Sequence, residues 1–578
     1  MKDSVYTTLI TPYAEKMDYD HPWNIYPRPA FVRDSFFSLN GRWDFEVISK
    51  DNIPEKYTET IIVPFPPESI LSGIERRMPK KSYLAYRRYF TLPSGFMKDR
   101  VILHFGAVDQ VCKVYLNGNF VGENRGGYIP FSFDITEHLR GTDNELVVIA
   151  KDALSKKYPY GKQKDKRGGM WYTPVSGIWQ TVWIESLPKK AILSISIDQN
   201  SKNAKITINS EAESAKLVLI DSGETFEFKC NTVTVEPKDA KLWTPDTPYL
   251  YRFYIETEYD RIESYFALRS LSITEVNGKK RMCLNGEPYF FSALLDQGYY
   301  PDGIFLPATA AGYEDDILLA KRLGFNTLRK HIKIEPMIFY YLCDKLGMIV
   351  FQDMVNNSSY SFILDTALPT IGLKKMLPKL RHRNNETRSI FLTEMEKTAK
   401  LLYNTPSVCL YTVFNEGWGE FCPDEVYNKL KKIDSTRFID ATSGWFYGKE
   451  SDLDSRHIYF KMPNIKKPNG RPFFLSEFGG FSLRVDKHLF GKKNYGYSIY
   501  RDKESFTDAV YKLYTEGTAP LIKDGLCGTV YTQISDVEDE TNGLITYDRR
   551  VVKIDESKMR EANECLYREF DIAVSSKK

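Results

Sequence analysis

The chain has 578 residues, more than a single hydrophobic core usually takes up, so its length predicts about two to four domains. Apolar residues make up 42% and charged residues 27%, a balance typical of folded globular domains and not of disordered chains. The net charge is only +3, from 79 basic and 76 acidic side chains, so the composition does not favour nucleic acid as a partner.

The sequence contains neither a run of about eighteen apolar residues nor an apolar segment near Met1 that would act as a secretory signal. We therefore expect a soluble, cytoplasmic protein without a membrane partner. The eight cysteines show no CxxC pair and no spacing typical of a metal site. They are expected to be reduced thiols, and no metal ligands are predicted.

The first part of the chain, about residues 23–187, consists of short β-rich segments separated by turn signals. Examples are Gly41-Arg-Trp-Asp-Phe-Glu-Val and Val101-Ile-Leu-His-Phe. Asn117-Gly118 lies between two apolar stretches and predicts a type I′ hairpin, since both central residues of that turn need a positive φ. This spacing predicts an all-β sandwich.

A second β-rich region, 189–276, has the length and alternation of one immunoglobulin-like sandwich. After Asn277-Gly278 the pattern changes, because apolar strands begin to alternate with helical stretches such as 313–323 and 335–346. This alternation over about 300 residues predicts a (β/α)₈ barrel. The expected domains are 1–188, 189–277 and 278–578.

In a (β/α)₈ barrel the chemistry takes place where the strands end, so polar residues that directly follow apolar strands are candidates for an active site. Eight such clusters occur in the last domain, one for each strand that the barrel needs. They are Asp296-Gln-Gly, Arg329-Lys-His331, Gln352-Asp353, Asn415-Glu416, Ser443-Gly-Trp445, His457 with Tyr459, Ser476-Glu477, and Gln533 with Asp536.

Two of these clusters carry a glutamate at the end of an apolar strand: Asn415-Glu416 and, 61 residues later, Ser476-Glu477. Glycoside hydrolysis needs two carboxyl groups on opposite sides of the scissile bond. They lie about 5–5.5 Å apart in retaining enzymes and about 6.5–9.5 Å apart in inverting ones, a distance that the sequence leaves open. The plainer alternative is that each glutamate is an ion-pair partner in a loop.

Motifs of other reaction classes are absent from the sequence. It has no phosphate-binding Gly-Lys-Ser/Thr loop, no GxGxxG after a first strand, no HExxH helix and no Gly-x-Ser-x-Gly. The seven histidines are scattered, and only His331 and His457 lie at predicted strand ends. We therefore expect neither a zinc hydrolase nor a serine esterase.

At these residues the sequence resembles glycoside hydrolase family 2, the group that contains β-galactosidases, β-glucuronidases and β-mannosidases. The segments similar to its jelly-roll and middle-sandwich signatures are Gly169-Met-Trp-Tyr-Thr-Pro-Val-Ser-Gly-Ile-Trp and 242–251. Those similar to its strand 2, acid/base and nucleophile motifs are Asn326-Thr-Leu-Arg329, Phe414-Asn-Glu-Gly-Trp418 and Ser476-Glu477-Phe-Gly-Gly480. The resemblance covers nearly the whole chain and implies a jelly-roll β-sandwich, an immunoglobulin-like β-sandwich and a C-terminal (β/α)₈ barrel.

The resemblance implies a retaining double displacement, in which Glu477 is the nucleophile and Glu416 is the acid/base that donates a proton to the leaving oxygen. Asn415 would hydrogen-bond the sugar 2-hydroxyl. Arg329 would keep Glu477 ionised, although a plain ion pair on the barrel floor is the alternative for this arginine. By position, Tyr459 would hydrogen-bond the nucleophile.

Other substrate contacts are expected from the resemblance or from position, each with a packing alternative. His331 lies one place earlier than the family's usual histidine after strand 2, and Tyr531 stands where a tryptophan is common at strand 8. Trp418 would form an aglycone platform or pack beneath its loop. The remaining candidates are Asp296, Trp445 and the basic first-domain loop Lys162-Gln-Lys-Asp165.

The expected partner is a carbohydrate or glycoconjugate, with a terminal β-galactoside as the leading substrate. β-Glucuronide, β-galacturonide and β-mannoside are alternatives, and the Asn-x-Lys motif with which glucuronidases hold the sugar carboxylate is not evident after strand 8. A deglycosylase for small aglycones stays open. A non-catalytic carbohydrate-binding protein would be favoured if position 416 or 477 lacked a carboxylate. The resemblance implies no cofactor and leaves a homo-oligomer open.

Overall fold

A computed structural model describes residues 9–575 except 230, 369–381, 447, 460 and 464–468. Twelve strands belong to its first region. They are β1 (Phe37–Ser38), β2 (Gly41–Ile48), β3 (Glu59–Val63), β4 (Tyr83–Phe90), β5 (Arg100–Phe105), β6 (Val108–Asp109), β7 (Val111–Leu116), β8 (Asn119–Arg125), β9 (Phe131–Asp134), β10 (Asn144–Lys151), β11 (Gly177–Ile178) and β12 (Val182–Leu187).

These strands form a jelly-roll sandwich. A six-stranded sheet has the order β3-β2-β4-β10-β7-β8, and a four-stranded sheet has the order β1-β12-β5-β9. Side chains alternate along β2, so that Trp43 and Phe45 are buried in the core, as expected for a strand with one solvated face. Asn117 and Gly118, between β7 and β8, both have positive φ, which confirms the predicted hairpin turn.

The second region is a smaller sandwich. Its strands are β13 (Ser194–Gln199), β14 (Ala204–Asn209), β15 (Ser214–Leu219), β16 (Thr225–Lys229), β17 (Thr232–Val235), β18 (Tyr251–Glu256) and β19 (Arg261–Phe266). They form sheets in the orders β13-β14-β17 and β16-β15-β18-β19. Buried Arg33 joins the two sandwiches, since it pairs with Glu185 of β12 at 3.1 Å and with Asp260 at 2.8 Å.

A short antiparallel sheet precedes the barrel and consists of β20 (Leu271–Val276), β21 (Lys279–Leu284) and β22 (Glu287–Pro288). The barrel strands are β23 (Phe291–Asp296), β24 (Thr327–Lys330), β25 (Ile349–Asp353), β26 (Val408–Asn415), β27 (Phe438–Ser443), β28 (Asp454–Tyr459), β29 (Phe473–Gly479) and β32 (Leu526–Thr532). Between the last two, β30 (Phe481–Leu483) and β31 (Ser498–Tyr500) form a separate two-stranded sheet. The helices are α1 (Ala311–Arg322), α2 (Met337–Leu346), α3 (Asn385–Leu402), α4 (Pro423–Ile433), α5 (Lys503–Lys512) and α6 (Glu556–Val574).

Eight parallel strands in the order β27-β26-β25-β24-β23-β32-β29-β28 confirm the predicted barrel. Strands such as β26 and β32 are buried along their whole length, because the barrel interior covers one face and the outer helices cover the other. The predicted helices at 313–323 and 335–346 are found as α1 and α2. None of the described helices combines the length and the apolar character needed to cross a bilayer.

The barrel is nearly closed. Strands β27 and β28 lie side by side, but no backbone ladder joins them within the residues that the structure describes. Instead, Ser443 Oγ lies 3.3 Å from Ser455 Oγ and 3.0 Å from His457 Nε2. Ser455 Oγ in turn donates to Ser476 Oγ at 2.6 Å. Side-chain hydrogen bonds therefore cross this junction.

Candidate active site

Glu416 lies directly after β26, whose eight residues are all buried. The backbone φ is 53° at Glu416 and 71° at Gly417, so the chain turns sharply where the strand ends. Residues other than glycine rarely adopt this conformation, and such strain is concentrated at functional sites. The Glu416 N–H donates to Ser443 O at 2.9 Å, and a side chain at 417 would collide with Phe446. The turn is therefore fixed by a hydrogen bond at Glu416 and by close packing against Phe446 at Gly417.

Glu477 lies within β29, and both of its carboxylate oxygens are hydrogen-bonded. Arg329 Nη1 donates to Oε1 at 3.1 Å, and the Tyr459 hydroxyl donates to Oε2 at 2.5 Å. Burial raises the pKa of this carboxyl, but the neighbouring His457 and Arg329 outweigh burial and lower the pKa to about 2. Glu477 is therefore ionised at neutral and mildly acidic pH.

His457 of β28 links the two carboxylates. Its Nδ1 lies 2.8 Å from Glu416 Oε1 and 3.5 Å from Glu477 Oε2. The ring nitrogen and one oxygen of each carboxylate all lie within 4.8 Å of one another. The two glutamates, which come from different strands, thus meet across one end of the barrel. In the described part of the chain, these three side chains are also the one group placed to hold a metal ion.

Arg329 of β24 connects the carboxylate pair to its surroundings. Its Nε donates to Asp353 Oδ1 at 3.0 Å and its Nη2 donates to Asn415 Oδ1 at 2.9 Å, in addition to the bond to Glu477. Because Arg329 occupies the amide oxygen of Asn415, the amide NH₂ of that side chain is the group left for a ligand. One guanidinium group therefore both orients Asn415 and holds the charge of Glu477.

His331 directly follows β24, and its Nδ1 lies 2.6 Å from Asp353 Oδ2. Burial lowers the pKa of His331, although the hydrogen bond with Asp353 opposes this effect. Burial raises the pKa of Asp353, but Arg329 and His331 outweigh it, so that this pKa is lowered. The contact fixes the orientation of the imidazole, with Nε2 on the side away from Asp353.

Aromatic side chains border the carboxylate pair. Tyr459 stacks on Tyr497 with ring centroids 4.2 Å apart, and Tyr497 contacts Tyr495 at 6.1 Å. Trp445 packs edge-on against His457 at 5.5 Å, and its indole N–H has no hydrogen-bond partner among the described residues. An aromatic face can pack against the apolar side of a sugar, and a buried N–H without a partner is suited to bind a hydroxyl.

Trp418 does not form an open platform. Its side chain is 2% exposed, and its ring packs against Trp171 at 5.2 Å and Tyr160 at 5.3 Å, both of which belong to the first domain. Its Nε1 donates to Ser358 O at 3.2 Å. We therefore correct the predicted aglycone contact to the packing alternative, in which Trp418 supports the contact between the first domain and the barrel.

The side chains of two further predicted contacts are engaged with other groups of the protein. Tyr531 is fully buried, with its ring against Phe478 and against Tyr514 of the helical layer, so its predicted substrate contact is corrected to packing. Asp296 accepts a hydrogen bond from Lys330 Nζ at 2.6 Å, and its other oxygen accepts one from a backbone N–H. Its carboxylate is therefore occupied within the protein.

The first-domain loop 162–170 reaches the barrel. Arg167 Nη1 lies 3.1 Å from Asp539 Oδ2, and the Tyr172 hydroxyl donates to the Glu540 carboxylate. Both acidic residues belong to the loop that follows β32. The first domain therefore contacts the same end of the barrel that carries the glutamate pair.

The contacts of His457, Asp353 and Tyr497 are not predicted from the sequence. From the sequence, His457 and Asp353 are identified as residues at strand ends, but no contact is assigned to either of them. A signal for His457 does exist, because it lies two residues before Tyr459 on one strand and therefore shares its face. Tyr497 lies in the excursion between β30 and β31, where no periodic pattern singles it out.

Family models match most of this architecture. The galactose-binding domain-like model of glycosyl hydrolase 2 matches residues 74–180, the model "Glycosyl hydrolases family 2" matches 176–269, and the TIM barrel domain model of the same family matches 309–468.

Curated relatives and solved structures agree with these models. A β-galactosidase of Thermoanaerobacter pseudethanolicus is 28% identical over 449 residues, and the match covers 71% of this chain but only 54% of that protein. The chain thus spans about half the length of this relative. A β-D-glucuronidase of Dictyoglomus thermophilum has a TM-score of 0.73 at 19% identity, with 93% of this chain and 98% of that chain covered. A β-galacturonidase of Eisenbergiella tayi bound to galacturonate has a TM-score of 0.67 at 18% identity, with 93% and 98% covered.

The solved structures share the fold, and the family models follow one another along the chain in the order of the jelly roll, the second sandwich and the barrel. The sequence motifs, the three-part architecture and the model matches lead to the same assignment. The chain belongs to glycoside hydrolase family 2.

Proposed function

We propose that this protein is an exo-acting, retaining β-glycosidase, with Glu477 as the nucleophile and Glu416 as the acid/base. The separation of the two carboxylates carries the proposal. A distance within 4.8 Å between the facing oxygens is compatible with direct attack on the anomeric carbon. It leaves too little room for the water molecule that an inverting enzyme places between substrate and base.

In the first step, Glu477 attacks the anomeric carbon while the electron pair of the glycosidic bond leaves with the aglycone oxygen, which takes a proton from Glu416. The product of this step is a glycosyl ester of Glu477. In the second step, Glu416 removes a proton from water, the water oxygen attacks the same carbon, and Glu477 leaves as a carboxylate. Two inversions at one carbon return the sugar to the β configuration.

The surrounding side chains support these roles. Arg329 and Tyr459 each bind one oxygen of Glu477, which keeps it ionised and limits its rotation. Asn415, held by Arg329, would donate its amide NH₂ to the sugar 2-hydroxyl. Hydrogen bonds to this hydroxyl that strengthen in the transition state contribute to catalysis in glycosidases.

Three further side chains would contact or position the reactants. His457 positions Glu416 through the 2.8 Å contact of its Nδ1. Trp445 would bind the sugar through its ring or its unpaired N–H, and His331 would do so through Nε2. Exo action is supported by the first-domain loop 162–170, which contacts the loop after β32 and would limit the access of a longer glycan chain.

A terminal β-galactoside is the leading substrate, because the curated relative described above is a β-galactosidase. The absence of an Asn-x-Lys motif after β32 favours a galactoside over a glucuronide. β-Glucuronides and β-galacturonides are the second candidates, since the proteins of similar fold described above are a β-D-glucuronidase and a β-galacturonidase. A non-catalytic carbohydrate-binding protein is disfavoured, because both 416 and 477 carry carboxylates that face one another.

The function is tested with a panel of p-nitrophenyl β-glycosides, which should yield one preferred sugar, with β-galactoside first. Proton NMR on the preferred substrate should show the β-anomer as the first sugar released, before mutarotation. Release of the α-anomer would contradict the retaining mechanism. The absence of hydrolysis of every glycoside by folded protein would contradict the enzyme proposal.

Removal of the charge of Arg329 should change the pH profile. Arg329 lowers the pKa of Glu477, so in Arg329→Met this pKa rises and the nucleophile becomes protonated at a higher pH. We expect the acid limb of kcat/KM to move upward by about one to two pH units, because an adjacent opposite charge shifts a carboxyl pKa by about that amount. Activity is then lost first at low pH and is recovered as the pH rises. Arg125→Met, at a largely exposed side chain, is the matched control, and an unmoved acid limb in Arg329→Met would contradict the assigned role.

A further inference from the structure

Two charged side chains that the proposed reaction does not use lie at the end of the barrel that carries the glutamate pair. Lys162 belongs to the first-domain loop, and Glu540 belongs to the loop after β32. Tyr172 connects them, because its backbone N–H donates to Lys162 O at 2.9 Å and its hydroxyl donates to the Glu540 carboxylate.

Lys162 is a nearly buried cation. The residue is only 9% exposed. Among the described residues, no carboxylate oxygen lies closer than 4.0 Å to its ammonium group. An added Cβ at Gly161 would lie 2.8 Å from Ile332 O, so this loop packs directly against the residue after His331. Burial is the main cause of the lowered pKa of His331, and the charge of Lys162 adds to it. The ammonium group lies 5.7 Å from the centre of the Trp171 ring, and burying a cation without a direct ion-pair partner is costly unless a polar ligand approaches it.

Glu540 is 4% exposed and is held from two sides. The Tyr172 hydroxyl binds one oxygen, and Asn542 Nδ2 donates to the other at 3.1 Å. Asn542 is fixed in turn, since its Oδ1 accepts a hydrogen bond from Gln533 Nε2 at 2.9 Å. Burial raises the pKa of Glu540, and the nearby charge of Glu477 raises it further. Glu540 is therefore a pre-oriented acceptor at the end of the barrel that carries the nucleophile.

A pyranose bound over Glu477 would present the hydroxyls that take no part in the reaction to these two groups. A hydroxyl donates one hydrogen bond and accepts others, so it matches a carboxylate together with an ammonium group. The ionised carboxylate of a uronic acid cannot donate a hydrogen bond. It would also add a negative charge close to Glu540 and Glu477, which is unfavourable in a buried site.

We propose that Lys162 and Glu540 are specificity-determining residues that bind the non-reacting hydroxyls of a neutral pyranose, and that the negative charge of Glu540 discriminates against uronic acids. This inference rests on the proposed glycosidase function. It assigns part of the sugar specificity to a contact between the first domain and the barrel, outside the pair of reacting carboxylates.

The test compares two substrates of the same configuration, p-nitrophenyl β-galactoside and p-nitrophenyl β-galacturonide, which differ by a hydroxymethyl group and a carboxylate. Wild type should prefer the galactoside. Glu540→Gln removes a negative charge at constant size, so we expect the ratio of kcat/KM for the galacturonide to that for the galactoside to rise by about tenfold or more. Lys162→Gln removes the cation and should lower the same ratio. Where turnover of the galacturonide is too slow, the inhibition constants of free galactose and galacturonate give the comparison.

The opposite directions of the two shifts separate specificity from damage to the fold, since a structural defect would weaken both substrates alike. Lys50→Gln, at an exposed lysine of the first domain outside this loop, is the matched control and should leave the ratio unchanged. Hydrolysis by wild type combined with an unchanged ratio, or with shifts in the same direction in both variants, would overturn the inference and leave the proposed function intact. If folded wild type cleaves no glycoside of the panel, both proposals fall.

Discussion

Glu477→Ala is expected to lower kcat/KM for the preferred p-nitrophenyl β-glycoside by about 10⁴-fold or more, an effect typical of the loss of a catalytic nucleophile. The variant lacks the oxygen that attacks the anomeric carbon, and Arg329 loses one of its two carboxylate partners. The first measurement is the initial rate of p-nitrophenol release at equal concentrations of folded protein.

A small anion should restore turnover of Glu477→Ala, and the configuration of the product should identify the residue that was replaced. Azide can enter the space left by the Glu477 carboxylate and attack the anomeric carbon from the face opposite the leaving group. The product should therefore be the α-glycosyl azide, identified by NMR. Glu394→Ala, at a buried glutamate of α3, is the control and should keep nearly full activity. Near-wild-type hydrolysis by Glu477→Ala would rule out this residue as the nucleophile.

Glu416→Ala should produce a different pattern, which depends on the leaving group. A dinitrophenolate leaves without a proton, so formation of the glycosyl ester should stay within about tenfold of wild type. A sugar or alkyl leaving group needs the proton, and its cleavage should fall by about 10³-fold, within the range of general acid catalysis. Hydrolysis of the ester also loses its base, so a burst of dinitrophenol should precede slow turnover.

Azide distinguishes the two glutamates further. In Glu416→Ala, azide should attack the glycosyl ester on the side from which the leaving group departed, so the product should be the β-glycosyl azide. Formation of the α-glycosyl azide would exchange the two assignments. Equal losses for good and poor leaving groups would show that Glu416 does not transfer the proton.

Much of the barrel could be predicted from the sequence, because each strand is an apolar run that ends in a polar cluster. Each of the eight predicted polar clusters begins in the last part of an observed barrel strand or directly after it. The short sheet β20-β21-β22 could not be predicted in this way, because it spans the expected boundary at 277–278, where the change of pattern was the only guide. The junction between β27 and β28 also leaves no mark on the local sequence.

The glutamate pair could be predicted, because each glutamate lies at the end of an apolar strand and carries a recognisable motif. The orientation of Tyr531 could not, because the position of a strand end does not say which of two successive side chains faces inward. The neighbouring Thr532 contacts Tyr459 through Oγ1 at 3.0 Å, whereas Tyr531 lies on the other face of β32, against the outer helical layer. Lys162 and Glu540 are far apart in sequence, and only the packing of the first domain on the barrel brings them together.

The junction between β27 and β28 makes the width of this barrel depend on side chains. Among the described residues, seven junctions of the barrel are set by backbone hydrogen bonds, whose length is the same for every amino acid. At the eighth, the spacing depends on the side chains of Ser443, Ser455 and His457, so a single substitution there can widen or narrow the barrel. Because Glu416 follows the strand next to β27 and His457 lies on β28, such a change would alter the distance between the acid/base and the histidine that positions it, while the rest of the barrel keeps its dimensions.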